Sequence, residues 1–226
     1  MKKSLLSIAM LFVAVAFVFG QPCTKPFFSE YIEGSSNNKA LEIYNPTTLP
    51  INLANYKILQ WRNGVLATSN TITLSGSVPP MGTYVICHPN ADSVSIKVKA
   101  QLITGNCNYN GDDALALVDG IDTLDIIGIR RDSAVWLVDT ADTKDNTLIR
   151  KSAVQGGNVN WTTAKLEWLA FPTNNASNLG LHTATPCVVT SPDTITAITT
   201  SASLTEGTGV YNLKLYLNKL QPFPKR

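Results

Sequence analysis

Residues 27–47 read FFSEYIEGSSNNKALEIYNPT, and this stretch decides the fold class. Residues 27–32 are rich in aromatic and β-branched side chains, which are typical of a strand. Residues 40–44 alternate in the manner of a second strand, which stops at Asn45-Pro46. The polar run 34–38, GSSNN, supplies a turn between them. The stretch therefore predicts two consecutive strands joined by a turn.

The rest of the chain repeats this pattern of short β-rich runs between turn residues. No segment carries a sustained apolar pattern at the helical period. Further strands are expected at 56–61, 71–74, 83–87, 101–104, 114–118, 123–129 and 147–151. Residues 155–181 are expected to be rich in loops, with Trp161 and Trp168 as core anchors. The pattern predicts an all-β protein with a loop-rich C-terminal part.

The first twenty residues have the composition of a secretory signal peptide. Lys2 and Lys3 precede the apolar run 5–19, and Gly20 precedes a cleavage site before Gln21. The alternative is a membrane anchor, for which the run is short because a span needs about 20 apolar residues. The sequence therefore predicts an exported protein, secreted or held at the cell surface, with no transmembrane segment once the signal peptide is removed.

Charge argues against a nucleic-acid partner. The chain has 18 Lys and Arg and 16 Asp and Glu, so removing Lys2 and Lys3 leaves a formally neutral mature protein. Nucleic-acid binding normally needs a basic face. The remaining length suits one domain with its own core, expected at 21–187, followed by a linker and a fragment at 188–226.

Export also bears on the four cysteines, because disulfides persist outside the cytoplasm. We expect Cys87 to pair with Cys107 and Cys23 to pair with Cys187. A metal site is the alternative, with only His88 and His182 as further ligands. It is disfavoured because the chain has no Cys-x-x-Cys motif.

Residues 27–47 closely resemble the opening of bacterial lamin-tail domains. Later pieces agree in order and spacing, so that the resemblance extends over residues 25–181. These pieces are INLANY at 51–56, the hairpin at 72–86, NGDDALAL at 110–117, DIIG at 125–128, LIRK at 148–151 and Glu167-Trp168. The resemblance implies an immunoglobulin-like β-sandwich of the lamin-tail type.

A second resemblance lies near the end of the chain. SASLTEGTGVYNL at 201–213 is similar to the start of a Calx-β-type sandwich domain. Such a domain needs about seven strands, whereas the pattern here predicts two, and an isolated pair of strands is marginal in water. Either the two strands add to the first domain or the sequence is truncated, and we expect a fragment of a longer multidomain surface protein.

Three glutamates are candidates for acid–base chemistry. Glu30, Glu33 and Glu42 lie on or beside the first two strands, and paired carboxylates suit hydrolysis of sugars. The structural alternative is favoured, because neither a histidine nor a nucleophile accompanies them. Glu33 is then expected to cap the adjacent turn, and Glu42 to pair with Lys39 or Lys57 at the surface.

Asp112 and Asp113 are candidates for binding calcium. They lie in an Asn-Gly-Asp-Asp turn whose carboxylate and carbonyl oxygens suit that ion. The alternative is that they fix the turn by hydrogen bonds to the backbone, as Asn and Asp commonly do. Apart from this calcium candidate, the sequence predicts no cofactor.

The function expected from these observations is that of a non-catalytic binding or scaffolding module outside the cell. Its partner would be a protein or a surface polysaccharide. The alternative is an accessory domain of a secreted hydrolase or nuclease whose catalytic domain is absent from this chain. That alternative rests on the lamin-tail resemblance alone. A fold does not determine a function.

Overall fold

The structure is a computed structural model that describes residues 23–186, 204–206 and 209–211. The chain divides into two compact units, 1–189 and 190–226. The predicted signal peptide and Cys187 lie outside the described residues, so export and the Cys23–Cys187 pairing stay predictions. No helix in the described part is long and apolar enough to cross a membrane.

Strands make up most of the regular secondary structure in the described part of the first unit, and loops and turns connect them. In chain order they are β1 (Phe27–Glu33), β2 (Lys39–Tyr44), β3 (Ile51–Asn52), β4 (Tyr56–Trp61), β5 (Asn70–Thr73), β6 (Ser77–Val78), β7 (Thr83–Cys87), β8 (Leu102–Ile103), β9 (Ala114–Asp119), β10 (Asp122–Ile127), β11 (Leu137–Val138), β12 (Ala141–Asp142), β13 (Thr147–Arg150) and β14 (Trp168–Phe171). The helices are α1 (Trp161–Ala164) and the 3-10 helices Arg62–Gly64, Lys97–Lys99 and Lys165–Glu167. In the second unit, β15 (Leu204–Glu206) and β16 (Gly209–Tyr211) pair antiparallel.

Two sheets carry the fold. One has six strands in the order β14-β13-β1-β2-β7-β8, and the other has four in the order β10-β9-β4-β5. Neighbouring strands are antiparallel except β7 and β8. The main core draws residues from both sheets, such as Tyr31 and Leu41 from the first and Ile58 and Leu117 from the second. The all-β immunoglobulin-like sandwich expected from the sequence is therefore confirmed.

The six-stranded sheet is buried on both faces in its middle. Every residue of β1 and β2 is buried. Tyr31 packs in the main core, whereas Ile32 belongs to a smaller cluster on the opposite face together with Val85 and Leu179. We call this smaller group the outer cluster. It explains why β1 reads as an almost continuous apolar run, a pattern of strands covered on both faces.

A buried ion pair joins the two sheets. Asp125 of β10 lies 3.1 Å from the Nη1 atom of Arg150 of β13, and both side chains are fully buried. The same carboxylate accepts a hydrogen bond of 2.9 Å from the backbone N–H of Phe28 in β1. The strand register is irregular at both ends of this contact, in β1 after Phe28 and in β10 before Asp125. A bulge of this kind redirects a side chain or frees a backbone donor.

The guanidinium of Arg150 is enclosed by further groups of the six-stranded sheet and its margin. Its Cζ atom lies 4.7 Å from the ring centroid of Trp168 and 5.7 Å from that of Phe27. Its Nη2 atom lies 2.6 Å from a carboxylate oxygen of Glu167. A buried charge is tolerated when it is paired and hydrogen-bonded in this way. The burial of Trp161 and Trp168 confirms their predicted role as core anchors.

The predicted disulfide between Cys87 and Cys107 is absent, because both residues are buried free thiols. Cys87 packs in the outer cluster, whereas Cys107 packs in the main core. The Sγ atom of Cys107 lies 3.7 Å from the carbonyl oxygens of Lys39 and Ile86. A disulfide requires the two Cβ–Sγ bonds to converge, and side chains that pack in different clusters do not meet this requirement.

The thiols of Cys87 and Cys107 are expected to resist alkylation in the folded protein. Burial excludes the reagent and raises the pKa of both thiols, so little reactive thiolate is present. Peptide mapping after iodoacetamide treatment should find both residues unmodified in native protein and modified in denaturant. Recovery of the two as a cross-linked peptide from a non-reducing digest would contradict the structure.

Candidate functional site

The structure places two of the three candidate glutamates side by side in a buried environment. Glu30 of β1 is the cross-strand neighbour of Glu42 of β2, and both residues are fully buried. Directly opposed side chains on antiparallel strands lie close enough to interact. The two carboxyl groups therefore form a like-charge pair beside the outer cluster.

This pair is covered by a segment from the C-terminal part of the domain, residues 174–182, which we call the strap. The Nδ2 atom of Asn178 donates to Oε2 of Glu30 at 3.2 Å, and the N–H of Gly180 donates to Glu42. Ser29 also donates to Glu42, at 2.6 Å. Oε1 of Glu30 is buried without a hydrogen-bond partner. One carboxyl oxygen of the pair is thus buried without a hydrogen-bond donor.

The environment makes both carboxyl groups hard to ionise. Burial, followed by the charge of Glu42, raises the pKa of Glu30 to about 8. Burial also raises the pKa of Glu42 to about 7, against the hydrogen bonds from Ser29 and Gly180. Lys99 lowers both values without cancelling these effects. Near neutral pH, the pair therefore retains protons that exposed carboxyl groups would have lost.

Glu33 is separate from this pair and has a structural role. Its carboxylate lies 2.6 Å from Nζ of Lys39, with both side chains almost fully buried. It also accepts a hydrogen bond from the N–H of Asp145. Lys39 in turn donates to the carbonyl of Gly34 in the following turn. The ion pair fixes the β1–β2 turn at its base, and Glu42 makes no such lysine pair.

The calcium candidate Asp113 is engaged with the protein itself. Its carboxylate accepts hydrogen bonds from Nε2 of Gln60 at 3.0 Å, from the N–H of Asn63 at 3.0 Å and from the N–H of Asn110 at 2.9 Å. Asp112 beside it is partly exposed. In the described part of the chain, no group of three or more acidic, histidine or cysteine side chains is arranged to hold a metal ion. This geometry favours the turn-fixing interpretation.

The two histidines have different contacts, and each has a local structural role. Nδ1 of His88 accepts a hydrogen bond of 3.1 Å from the N–H of Asn90. His182 packs edge-on against Phe27 and Tyr44, with ring centroids 6.2 and 4.9 Å away. Burial lowers the pKa of His182 to about 4, so it is neutral at physiological pH.

A shallow groove follows β10 on the other sheet. It consists of three adjoining recesses that share Val159, between the strand and the segment 156–162. Its lining is mixed: the apolar residues Trp61, Ala116, Leu124, Ile126, Ile129, Val159 and Trp161 lie among the polar or charged residues Thr24, Lys25, Thr123, Arg130, Asn160 and Thr162 and the glycines 128, 156 and 157. Val159 is 57% exposed and Ile129 is 41% exposed. The groove therefore presents two accessible aliphatic side chains within a lining of mixed polarity.

Sequence reasoning missed both the strap and the groove. Asn178 lies 148 positions from its partner Glu30, and Gly180 lies 138 positions from Glu42. No spacing rule connects residues so far apart, and neither Asn178 nor Gly180 lies in a motif that would identify its partner. The groove was missed because Val159 lies in a stretch whose pattern indicated only loops.

Replacing Glu30 with glutamine is expected to stabilise the protein at mildly alkaline pH. Because the folded state holds protons more tightly than the unfolded state, the free energy of unfolding should fall as pH rises from about 5 to about 8. Glu30→Gln removes the contribution of Glu30 to this dependence while that of Glu42 remains, so a gain of about 1–3 kcal/mol near pH 8 should shrink towards zero near pH 4.5. Urea unfolding at several pH values measures it. Asp122→Asn, which removes an exposed carboxylate of β10, is the control and should leave the pH dependence unchanged; a destabilised Glu30→Gln protein at pH 8 would refute the assignment.

Comparison with known proteins agrees with the architecture. No curated protein matches the chain. The family model of the lamin tail domain matches residues 21–149, more than half of the chain. The match runs from before β1 to within β13 and includes Glu30, Glu42 and Asp125, whereas the strap lies beyond it. The Calx-β resemblance of residues 201–213 stays a prediction. The chain belongs to the lamin tail domain family, whose members have an immunoglobulin-like fold.

Proposed function

We propose that this protein is a non-catalytic binding module, secreted or held at the cell surface, and that it binds a protein partner through the groove along β10. The observation that carries the proposal is that the exposed side chain of Val159 lines all three recesses of that groove, with Ile129 also exposed beside it. Apolar patches that stay exposed on a folded domain commonly mark interaction sites.

The walls of the groove are held in place by the fold, which supports a role in recognition. The N–H of Asn158 donates to Asp125 at 2.8 Å, and its carbonyl accepts from the N–H of Ile126 at 3.3 Å. A Cβ atom added at Gly157 would lie 2.3 Å from the carbonyl oxygen of Leu124. The segment is thus fixed closely against the strand, and a preformed surface loses less entropy on binding.

The chemistry of the lining favours a protein over a polysaccharide. Sugars are usually recognised by stacking on exposed aromatic rings, but all four tryptophans are at least nine-tenths buried. Trp61 is covered by Arg130, whose Cζ atom lies 5.0 Å from the ring centroid. Exposed aliphatic side chains beside the cations Lys25 and Arg130 suit a peptide segment with aliphatic side chains and an acidic group.

The buried acidic residues support a non-catalytic role. Asp113 is bonded to a turn, and Asp125 and Glu33 are each paired with a buried base. Glu30 and Glu42 are closed off by the strap. None of these groups lines the groove, where a substrate would have access.

Val159→Asp is expected to weaken partner binding about tenfold or more, because it places a charge at the centre of an apolar contact. A photo-crosslinking amino acid at position 159 would first identify a protein partner among extracellular and surface proteins. Calorimetry with the purified partner then compares the parent, Val159→Asp and Ile121→Asp. Ile121 is the matched control, since it is 98% exposed in the β9–β10 turn outside the groove.

The result that supports the proposal is a loss of affinity in Val159→Asp with unchanged affinity in Ile121→Asp. Equal affinity of all three proteins would show that the groove is not the binding surface. Turnover of nucleic acids or phosphate esters by the purified chain would show that the module is catalytic. A secreted hydrolase or nuclease as the captured partner would favour the accessory-domain interpretation.

A further inference from the structure

The strap is attached to the six-stranded sheet in two different ways. At one end, Oδ1 of Asn174 accepts hydrogen bonds from the N–H of Ser35 at 3.0 Å and from Nδ2 of Asn38 at 2.9 Å. At the other end, His182 packs between Phe27 and Tyr44. These attachments involve no group that changes charge between about pH 6 and pH 9. The two ends therefore stay in place over that range.

The middle of the strap is attached through the carboxyl pair. Asn178 donates to Glu30 and Gly180 donates to Glu42, while Nζ of Lys99 donates to the carbonyl of Ala176 at 2.6 Å. Under this middle part lie the apolar residues of the outer cluster. The covering of that cluster thus depends on two ionisable side chains.

The charges facing the pair come from few groups. Lys99 supplies one positive charge from the 3-10 helix Lys97–Lys99, and β1 and β2 supply the two carboxyl groups. From β13 and β7, the neighbours in register are the apolar residues Ile149 and Val85, and the strap contributes neutral donors. With one proton shared between the carboxyls, this group of charges is neutral. Without that proton it carries a net negative charge in a buried place.

We propose that the strap is a pH-operated cover, closed while Glu30 and Glu42 together hold at least one proton and opening at its middle when that proton is lost. An uncompensated buried charge is costly unless water reaches it. The strap is what separates the pair from solvent, so lifting its middle relieves the charge. The raised pKa values of both carboxyls set the transition between neutral and mildly alkaline pH.

Opening the strap would change the surface that the domain presents. Ala176 and Leu179 leave the outer cluster, and Ile32 and Val85 beneath them become accessible. The two sheets and their main core are untouched, because none of these residues belongs to it. The device therefore exposes a second apolar surface, on the sheet opposite to the groove along β10, without unfolding the domain.

Hydrogen–deuterium exchange of peptides spanning the strap tests this proposal in the intact chain. After correction for the intrinsic effect of pH on exchange, protection of the strap should fall about tenfold or more between about pH 6 and pH 8.5. Peptides from β1 and β4 should keep their protection. In Glu30→Gln only Glu42 can ionise, and its charge is balanced by Lys99, so the strap should stay protected at both pH values. Asp122→Asn should behave as the parent protein does.

A second measurement on the unaltered protein keeps the test independent of any variant. Carbon-13 NMR of the glutamate carboxyl groups should show two that titrate at or above neutral pH. Unchanged strap protection across this pH range, or titration of every glutamate below about pH 5, would overturn the proposal. Loss of protection to the same extent in Glu30→Gln would assign the opening to another group and would overturn it as well.

Discussion

The packing of the two sheets depends on one buried carboxylate. Asp125 extends from β10 and meets the guanidinium of Arg150 and the N–H of Phe28, both of which belong to the six-stranded sheet. Hydrophobic contact between sheets is not directional, whereas this group of bonds allows one alignment. Removing Arg150 would leave Asp125 buried without its base, which typically costs about 3–5 kcal/mol, whereas removing Asp125 would leave Arg150 with Glu167 as its remaining partner. The pair therefore specifies how the sandwich closes as well as contributing to its stability.

The same carboxylate shapes the proposed binding surface. Its second oxygen accepts the N–H of Asn158, which holds the segment 156–162 against β10 and leaves Val159 exposed beside the strand. Core and groove thus share an anchor. By contrast, Glu30 and Glu42 meet only each other and neutral donors, with Lys99 nearby. The fold therefore contains buried acids with an ion-pair partner, such as Asp125 and Glu33. Glu30 and Glu42 have no such partner and are able to respond to pH.

Local patterns in the sequence were sufficient for most of the architecture. The strands at 56–61 and 83–87 have the predicted bounds, because alternation and turn residues report on local geometry. β14 was missed, since its four residues follow a short helix and form a strand only by pairing with β13. The Cys87–Cys107 disulfide was wrong because proximity along the chain does not reveal which face of a sheet a side chain occupies. The candidate site was only half predictable: Glu30 and Glu42 stood out as carboxylates, but their burial depends on the distant strap.

A double-mutant cycle on Asp125 and Arg150 tests most directly whether this pair fixes the alignment of the sheets. Asp125→Asn, Arg150→Met and the combined variant would be compared with the parent protein by urea unfolding. We predict a coupling free energy of about 2 kcal/mol or more, with the double variant much less destabilised than the sum of the single variants. Additive effects within about 0.5 kcal/mol would contradict the account, because they would mean that the two side chains stabilise the sandwich independently.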